Sequence, residues 1–206
     1  TGRHKNMEAE KLIEALHTVE KLKRTMRHCY TSDDRKESVA EHCWRVALMA
    51  YWMEDEFPEV DINKVIKMCL IHDLGECFTG DIPCFKKTEA DEETEENLLY
   101  QWVATLPEPL NDKMRTLYQE MSELKTLEAK IYKALDNMEG ALSHNESDLK
   151  TWEPHEYELT KNYGIGKTQF HPYIKRLREY MKKETEDKIE AAGRSIGKAE
   201  ESDKEE

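Results

Sequence analysis

A histidine and an aspartate follow directly after an apolar run in the first half of the chain. His72 and Asp73 come after residues 68–71, and burying an imidazole beside a carboxylate is unfavourable unless both are paired or bind a metal. Glu76 follows four residues after His72, and Asp81 lies in a segment interpreted as a loop. This cluster predicts metal ligation and proton transfer. The alternative is that His72 caps a helix C-terminus and Asp73 is solvated.

Two further positions place ligand-type residues in apolar surroundings. His42 begins a mostly apolar helix face, where a lone histidine is more often a satisfied core or boundary residue. Asp136 lies in an apolar stretch of a predicted helix, although pairing with Lys133 on the surface explains it equally well. Neither position indicates a site when it is considered alone.

The elements that carry these residues are predicted to be helices. Apolar residues at helical spacing predict a first helix over residues 7–27. Ser38 and Glu41 form a capping box, which marks the start of a second helix. Asp61 is expected to cap a buried third helix, and residues 73–83 are interpreted as a helix end and a loop. Further helices are predicted over residues 91–106, 111–121, 124–144 and 172–183.

Length and composition favour one helical domain. A chain of 206 residues suits a single core with or without a tail. The 8 glycines and 6 prolines are few, and no run alternates apolar and polar residues over strand length, which predicts an all-α fold. We expect a single domain over residues 1–183. Residues 184–206 are charged and carry few large apolar groups, so they are predicted to form a disordered tail.

The net charge and the cysteine spacing limit which partners the protein is expected to bind and where in the cell it is expected to be. The formal net charge of −13 repels nucleic-acid phosphates and anionic lipid, while a metal or a few cations can still attract a small anion locally. No stretch of about 18 apolar residues is present, and the first residues are not signal-like. The five cysteines include no CxxC pair, so neither a disulfide framework nor a thiolate zinc site is indicated. These features predict a soluble cytoplasmic protein without nucleic-acid or membrane partners.

The ligand-type residues form an ordered series along the chain. His42, then His72 with Asp73, then Asp136 resembles the HD superfamily of metal-dependent phosphohydrolases. The surrounding residues are similar to the 5′-deoxynucleotidase branch, which includes bacterial YfbR-type enzymes. The similar segments are SVAEH at residues 38–42, HDLGE at 72–76, GDIP at 80–83, EAK at 128–130 and ALD at 134–136. The resemblance covers about residues 12–164.

The resemblance implies an α-helical HD-domain bundle in which His42, His72, Asp73 and Asp136 hold one divalent cation. Two-metal members of the superfamily have additional histidines between the HD pair and the last aspartate, and this sequence has none there. Mixed imidazole and carboxylate ligands suit Co²⁺, Mn²⁺, Fe²⁺, Zn²⁺ or Ni²⁺, so the identity of the ion stays open.

The resemblance also implies a substrate side. An Arg followed by an aromatic residue contacts phosphate and sugar in this branch, and Arg27 and His28 occupy the matching positions. The planar guanidinium of Arg27 suits a phosphate, although a helix-terminal Arg that complements the helix dipole is the alternative. The branch has Trp where this chain has His28, which predicts weaker sugar selectivity. The segment matching the nucleotide-contacting loop contains Asp81, Ile82, Pro83 and Cys84.

These implications predict an enzyme that removes the 5′-phosphate from nucleoside monophosphates, with deoxynucleotides as first choice. Glu76 and Asp81 are the candidates to orient water and to carry its proton. The alternatives are a nucleotide-sensing metal-binding module without turnover, a hydrolase of another small phosphate ester, and a helical interaction protein. The resemblance also suggests a homodimer. An apolar helix face would supply the interface, although burial in the core explains this face equally well; its residues are Leu98, Leu99, Trp102 and Leu106.

Overall fold

The computed structural model describes residues 8–202, with side chains as far as residue 193. The fold is helical, as predicted, and within the described residues its sheet structure is one pair of short strands. In chain order the elements are α1 (Ala9–Val19), β1 (Met26–Tyr30), β2 (Lys36–Ser38), α2 (Val39–Trp52), α3 (Ile62–Ile71), α4 (Glu76–Thr79), α5 (Glu89–Val103), α6 (Leu110–Glu123), α7 (Leu127–Glu146), α8 (Glu156–Asn162) and α9 (Pro172–Ser202).

The first helix is shorter than the sequence predicts. Helix α1 ends at Val19, a 3-10 turn follows, and Arg27 lies on strand β1. Strand β1 pairs with β2, and the Val39 N–H donates to the Thr25 carbonyl at 2.9 Å just before β1. Apolar residues at helical spacing therefore continue past the end of α1, into the 3-10 turn and β1. Strands of five and three residues are too short for alternation to reveal them.

The predicted starts of α2 and α3 are confirmed by their caps. The Glu41 N–H donates to Ser38 Oγ at 3.2 Å, and the Ser38 N–H donates to Glu41 Oε2 at 2.8 Å. In α3 the Lys64 N–H donates to Asp61 Oδ1 at 3.1 Å. Each cap satisfies backbone donors that the helix leaves unpaired, which sets the residue at which the helix begins.

The described chain divides into two compact units. The first comprises the described residues up to His28 together with Lys36–Leu135, and in it α2 packs against α3. The second comprises Cys29–Arg35 and the described residues from Asp136 onward, where α8 packs against α9. The core of the first unit includes Val46, Ala50, Val65, Met68 and Cys69. The core of the second includes Met138, Trp152, Ile174 and Met181.

The segment that begins at residue 184 differs from its prediction as a disordered tail. Helix α9 continues to Ser202, and Thr185 is fully buried. The Thr185 hydroxyl donates to Asn145 Oδ1 at 2.7 Å, and Lys188 Nζ donates to the Asn145 carbonyl at 3.1 Å. Hydrogen bonds between polar side chains and Asn145 of α7 hold this part of α9 in place. A prediction that considers only large apolar residues therefore did not identify the segment as an ordered helix. The predicted tail residues 203–206 lie outside the described residues.

Two further expectations concern cysteines and membranes. The five cysteines form no disulfide, and four of them are buried, whereas Cys84 is exposed. Among the described residues, no helix is both long enough and apolar enough to cross a bilayer.

Candidate metal centre and active site

Helices α2 and α3 bring two histidines and an aspartate together in the first unit. His42 lies in the first turn of α2 and is 1% exposed, while His72 follows the last residue of α3. His42 Nε2 is 3.2 Å from His72 Nε2, and Asp73 Oδ2 lies 3.2 Å from His72 Nε2 and 3.6 Å from His42 Nε2. Three ligand-type atoms therefore converge on one point.

The backbone sets the tautomer of His72. Its Nδ1 lies 2.7 Å from the Cys69 carbonyl oxygen, which accepts hydrogen bonds and cannot donate them. Nδ1 must therefore carry the proton, so the neutral ring directs the lone pair of Nε2 toward His42 and Asp73. The end of α3 is held in addition by the Tyr118 hydroxyl, which donates to the Ile71 carbonyl at 2.7 Å. His72 stands at the helix C-terminus, as the alternative interpretation supposed, but its imidazole belongs to the cluster.

The spacing of these atoms fits one cation. Nitrogen and oxygen ligands about 2.1 Å from a divalent ion are separated from each other by about 3.0 to 3.4 Å. The separations among His42, His72 and Asp73 lie close to this range. Without positive charge, the lone pair of His72 Nε2 and the carboxylate oxygen of Asp73, which are 3.2 Å apart, would repel each other. The donor set thus matches a borderline divalent metal.

Asp136, the fourth predicted ligand, lies on α7 and belongs to the second unit. It follows Tyr132 by one helical turn, so the two side chains share a helix face. The ring centroid of Tyr132 is 6.1 Å from that of His72. The role of Asp136 as a ligand stays a prediction.

Glu76 is a buried carboxyl beside the metal-ligand cluster. It begins α4, is 6% exposed, and its Oε2 has no hydrogen-bond partner among the described residues. Burial is the largest cause, and the nearby carboxylates of Asp73 and Asp81 add to it; together they raise the pKa of Glu76 to about 10. A carboxyl in such surroundings keeps its proton at neutral pH unless positive charge enters the site.

Asp81 lies next to the same cluster, where burial and nearby positive charge have opposite effects on its pKa. Gly80 ends α4 with a φ of 77°, a conformation that glycine adopts without strain, and the chain turns there into the loop. Burial raises the pKa of Asp81, while the positive charge of Arg27 and then His28 opposes that shift. Arg27 is thus the cation with the largest effect on Asp81, whereas Asp73 is the carboxylate with the largest effect on Glu76.

The predicted substrate residues lie on β1 and on the loop after α4. Arg27 Nη1 donates to Glu37 Oε2 at 2.7 Å. The alternative interpretation of Arg27 as a helix-terminal residue is wrong, because Arg27 is on β1. The His28 ring contacts Phe85 edge-to-face with centroids 5.4 Å apart. The remaining loop residues are half-buried or exposed; they are Ile82, Pro83 and Cys84.

Sequence reasoning missed two acidic residues near the site. Glu37 immediately precedes the capping Ser38, and nothing in its local sequence signals burial. Glu95 belongs to an acidic helix start, yet it is mostly buried and accepts from Lys87 Nζ at 2.7 Å. The only sequence signal for either residue is a partner of opposite charge: Arg27 for Glu37 and Lys87 for Glu95.

The second unit contains another buried histidine next to a carboxylate. His144 Nε2 lies 3.0 Å from Glu156 Oε1, and His144 Nδ1 lies 3.0 Å from the Gly140 carbonyl and 3.7 Å from Cys29 Sγ. Burial acts to lower the pKa of His144, but hydrogen bonds with Cys29 and Glu156 outweigh it and raise the pKa to about 10.

Comparisons with known proteins agree with this geometry. A protein-family model described as an HD domain matches residues 19–178. The 5′-deoxynucleotidase HDDC2 of Homo sapiens is 30% identical over 188 residues, covering 89% of this chain and 91% of the human protein. The HDDC2 protein of Dictyostelium discoideum is 32% identical over 154 residues, covering 68% of this chain and 80% of its own length.

A solved structure supports the same relationship. The predicted metal-dependent phosphohydrolase from Magnetospirillum magnetotacticum MS-1 has a TM-score of 0.75 at 27% identity, covering 88% of this chain and 92% of that one. The segment matched by the family model includes all of the residues predicted to bind metal or substrate.

Proposed function

The chain belongs to the HD-domain family, and from this premise we propose that it is a metal-dependent phosphohydrolase that removes the 5′-phosphate from nucleoside monophosphates. Deoxynucleotides are the first choice of substrate, because the relatives matched over 170 to 188 residues are named 5′-deoxynucleotidases. The observation that carries the proposal is the convergence of His42, His72 and Asp73 within 3.6 Å of one another.

His42, His72, Asp73 and Asp136 would hold one divalent ion, either Co²⁺, Mn²⁺, Fe²⁺, Zn²⁺ or Ni²⁺. Such an ion polarises a phosphoryl oxygen and brings the pKa of a water molecule toward neutrality. The mixed imidazole and carboxylate donors support this choice of ions over Mg²⁺ or Ca²⁺, which prefer oxygen ligands.

The two carboxyl groups would divide the proton transfers. Glu76 orients the attacking water and accepts its proton as the water oxygen bonds to phosphorus. The positive charge that enters with the ion favours the carboxylate form of Glu76 that this step needs. Asp81, whose pKa is raised by burial, gives a proton to the 5′-oxygen as the phosphorus–oxygen bond breaks. Arg27 donates to the phosphoryl oxygens, where negative charge grows.

His28 and the loop residues would contact the sugar and the base; the loop residues are Asp81, Ile82, Pro83 and Cys84. An imidazole occupies less space beside C2′ than the Trp of the resembling enzymes, and it can hydrogen-bond to a hydroxyl. The contact between His28 and Phe85 supports a competing possibility, in which Phe85 takes the space beside C2′ that the smaller imidazole leaves open. We propose that the discrimination between deoxy and ribo substrates is weak.

Phosphate release from a panel of mononucleotides, measured with each of the five ions, tests the proposed function. We expect release from dAMP and related nucleotides that depends on the added ion. Stoichiometric binding of metal and nucleotide without release would instead support a sensing module. Release only from other small phosphate esters would move the assignment to a different hydrolase, and a protein that binds no metal would overturn the proposal.

We further propose that residues 1–183 belong to one domain, on which the start of the following segment docks through Thr185. In this proposal the protein is cytoplasmic and has no nucleic-acid or membrane partner.

We also propose that the protein is a homodimer. Leu99 and Leu106 are buried in the first unit, so core packing explains them. The face of α2 that carries Trp44, Tyr51 and Trp52 is a better interface, because Trp52 is 76% exposed and the other two are more than half exposed. Sedimentation of the protein and of Trp52→Glu tests this proposal, since the variant should be monomeric.

A further inference from the structure

Glu37 is a buried carboxylate that none of the proposed chemical steps uses. It lies on β2, and its side chain is 8% exposed. Its Oε2 accepts from Arg27 Nη1 at 2.7 Å, and the Arg27 side chain is 13% exposed. Charge-assisted bonds of this length between buried partners are strong, and they restrict both side chains to one geometry.

The backbone around Glu37 is tied to the metal-ligand cluster. Glu37 directly precedes Ser38, whose capping box with Glu41 sets the start of α2, and His42 follows immediately. The Val39 N–H donates to the Thr25 carbonyl at 2.9 Å, which joins this segment to the residues before β1. The salt bridge thereby connects Arg27 to the same short segment that positions His42.

The charge of Arg27 also acts on Asp81, a carboxyl assigned to the reaction. It is the largest of the effects that oppose the raised pKa of Asp81. Arg27 therefore interacts with two carboxyl groups: it forms a salt bridge with Glu37 and opposes the pKa shift of Asp81. An arginine side chain has several rotatable bonds, so its orientation at this point needs an anchor.

We propose that Glu37 is a positioning residue that fixes the guanidinium of Arg27 for contact with the substrate phosphate. The inference rests on the proposed function and deepens it, because it says how the phosphate-binding cation is held relative to the metal ligands. Glu37 itself touches neither substrate nor metal. Its effect comes from preorganisation, since a donor already aimed at the phosphoryl oxygens needs no reorientation during the reaction.

The test is a double-mutant cycle that combines Glu37→Gln with Arg27→Ala. The glutamine keeps the shape and one acceptor but removes the charge that anchors Arg27. We expect Glu37→Gln alone to lower kcat/KM about 10- to 100-fold, the size expected for a misplaced substrate-binding group. In the Arg27→Ala background the same substitution should change kcat/KM by less than about twofold, because the group it positions is gone.

A matched control is available in the same unit. Lys64 Nζ lies 2.9 Å from Glu120 Oε1, a salt bridge of similar length between α3 and α6. Glu120→Gln breaks that bridge in the same way and should leave kcat/KM unchanged. The metal content of both glutamine variants should equal that of the unsubstituted protein, because neither residue is a proposed ligand.

The outcomes separate this inference from the proposed function. Equal losses from Glu37→Gln in both backgrounds, or no loss in either, would overturn the positioning role. A loss that tracks a lowered Tm in both backgrounds would make Glu37 structural. If Glu37→Gln fails to fold, Glu37→Asp, which keeps the charge but shortens the reach, enters the same cycle with the same expectations. Failure of the unsubstituted, metal-loaded protein to release phosphate would count against the proposed function itself.

Discussion

Each of the two units buries a histidine beside a carboxylate, but the hydrogen-bonding of the two arrangements differs. In the second unit each nitrogen of His144 has an acceptor within 3.0 Å, and the other oxygen of Glu156 accepts from the Glu153 N–H at 2.7 Å. In the first unit two imidazole nitrogens and a carboxylate oxygen face one another, and Glu76 Oε2 has no partner among the described residues.

The difference separates a structural cluster from a reactive one. Around His144 the donors and acceptors balance within the protein, so a charged imidazole is stable there. Around His72 ligand-type atoms of three side chains lie within 3.6 Å of one another, so an added cation would stabilise the cluster. Burial of a histidine beside a carboxylate therefore does not by itself indicate function, whereas the convergence of several ligand-type atoms does.

The largest expected effect comes from removing a ligand in the first unit. His72→Ala should lose bound metal and lower phosphate release by more than about a hundredfold, since losing even an outer partner of a ligand costs about 10- to 100-fold. Metal analysis and phosphate release measure this directly. His144→Ala is the matched control from the second unit and should keep its metal. Full activity of His72→Ala without metal would contradict the comparison.

The second-largest effect distinguishes loss of activity from loss of stability at two buried glutamates, Glu76 in the first unit and Glu156 in the second. Glu76→Gln should lower kcat about 10²- to 10⁴-fold, as expected for loss of a proton-transfer group, and its free energy of unfolding should not fall, because it removes a crowded buried carboxyl. Glu156→Gln should show the opposite pattern: its free energy of unfolding should fall, while kcat of the folded protein should be unchanged. Urea unfolding and steady-state kinetics on both variants distinguish these results; a destabilised Glu76→Gln would count against the comparison.

A smaller effect is the pH dependence of stability in the second unit. The pKa of His144 is raised to about 10 in the folded protein, above the unperturbed value of about 6.5. Its contribution should be fully present below about pH 6.5 and should be lost as the pH rises toward 10. We expect about 1.5 to 3 kcal/mol for a hydrogen bond to a charged group. Urea unfolding of the protein and of His144→Gln across this range measures it, and parallel pH curves would refute it.

The smallest expected effect concerns substrate choice in the first unit. The kcat/KM values for dAMP and AMP should lie within roughly tenfold of each other, since His28 leaves part of the space beside C2′ open. His28→Trp should increase the preference for dAMP. Kinetics on both substrates decide this. A strong deoxy preference that His28→Trp leaves unchanged would assign the selectivity to another residue, for which Phe85 is the first candidate because it contacts His28.

Much of the helical fold could be predicted because its signals act locally. The caps at Ser38 and Asp61 involve backbone N–H groups three residues away, so the sequence alone contains both partners. The HD pair after α3 is likewise visible as polar residues at the end of an apolar run. For these features the physical cause and the sequence pattern lie within the same helical turn.

Pairings between distant residues depend on the tertiary structure. The sequence by itself determined the helical class, the capped helix starts and the candidates His42, His72 and Asp73. Only the tertiary structure decided that Arg27 lies on a strand beside Glu37, and that Thr185 docks α9 through Asn145. The physical reason is that a buried polar side chain is stabilised by one specific partner, and the sequence does not specify which distant residue the fold will place within hydrogen-bonding distance.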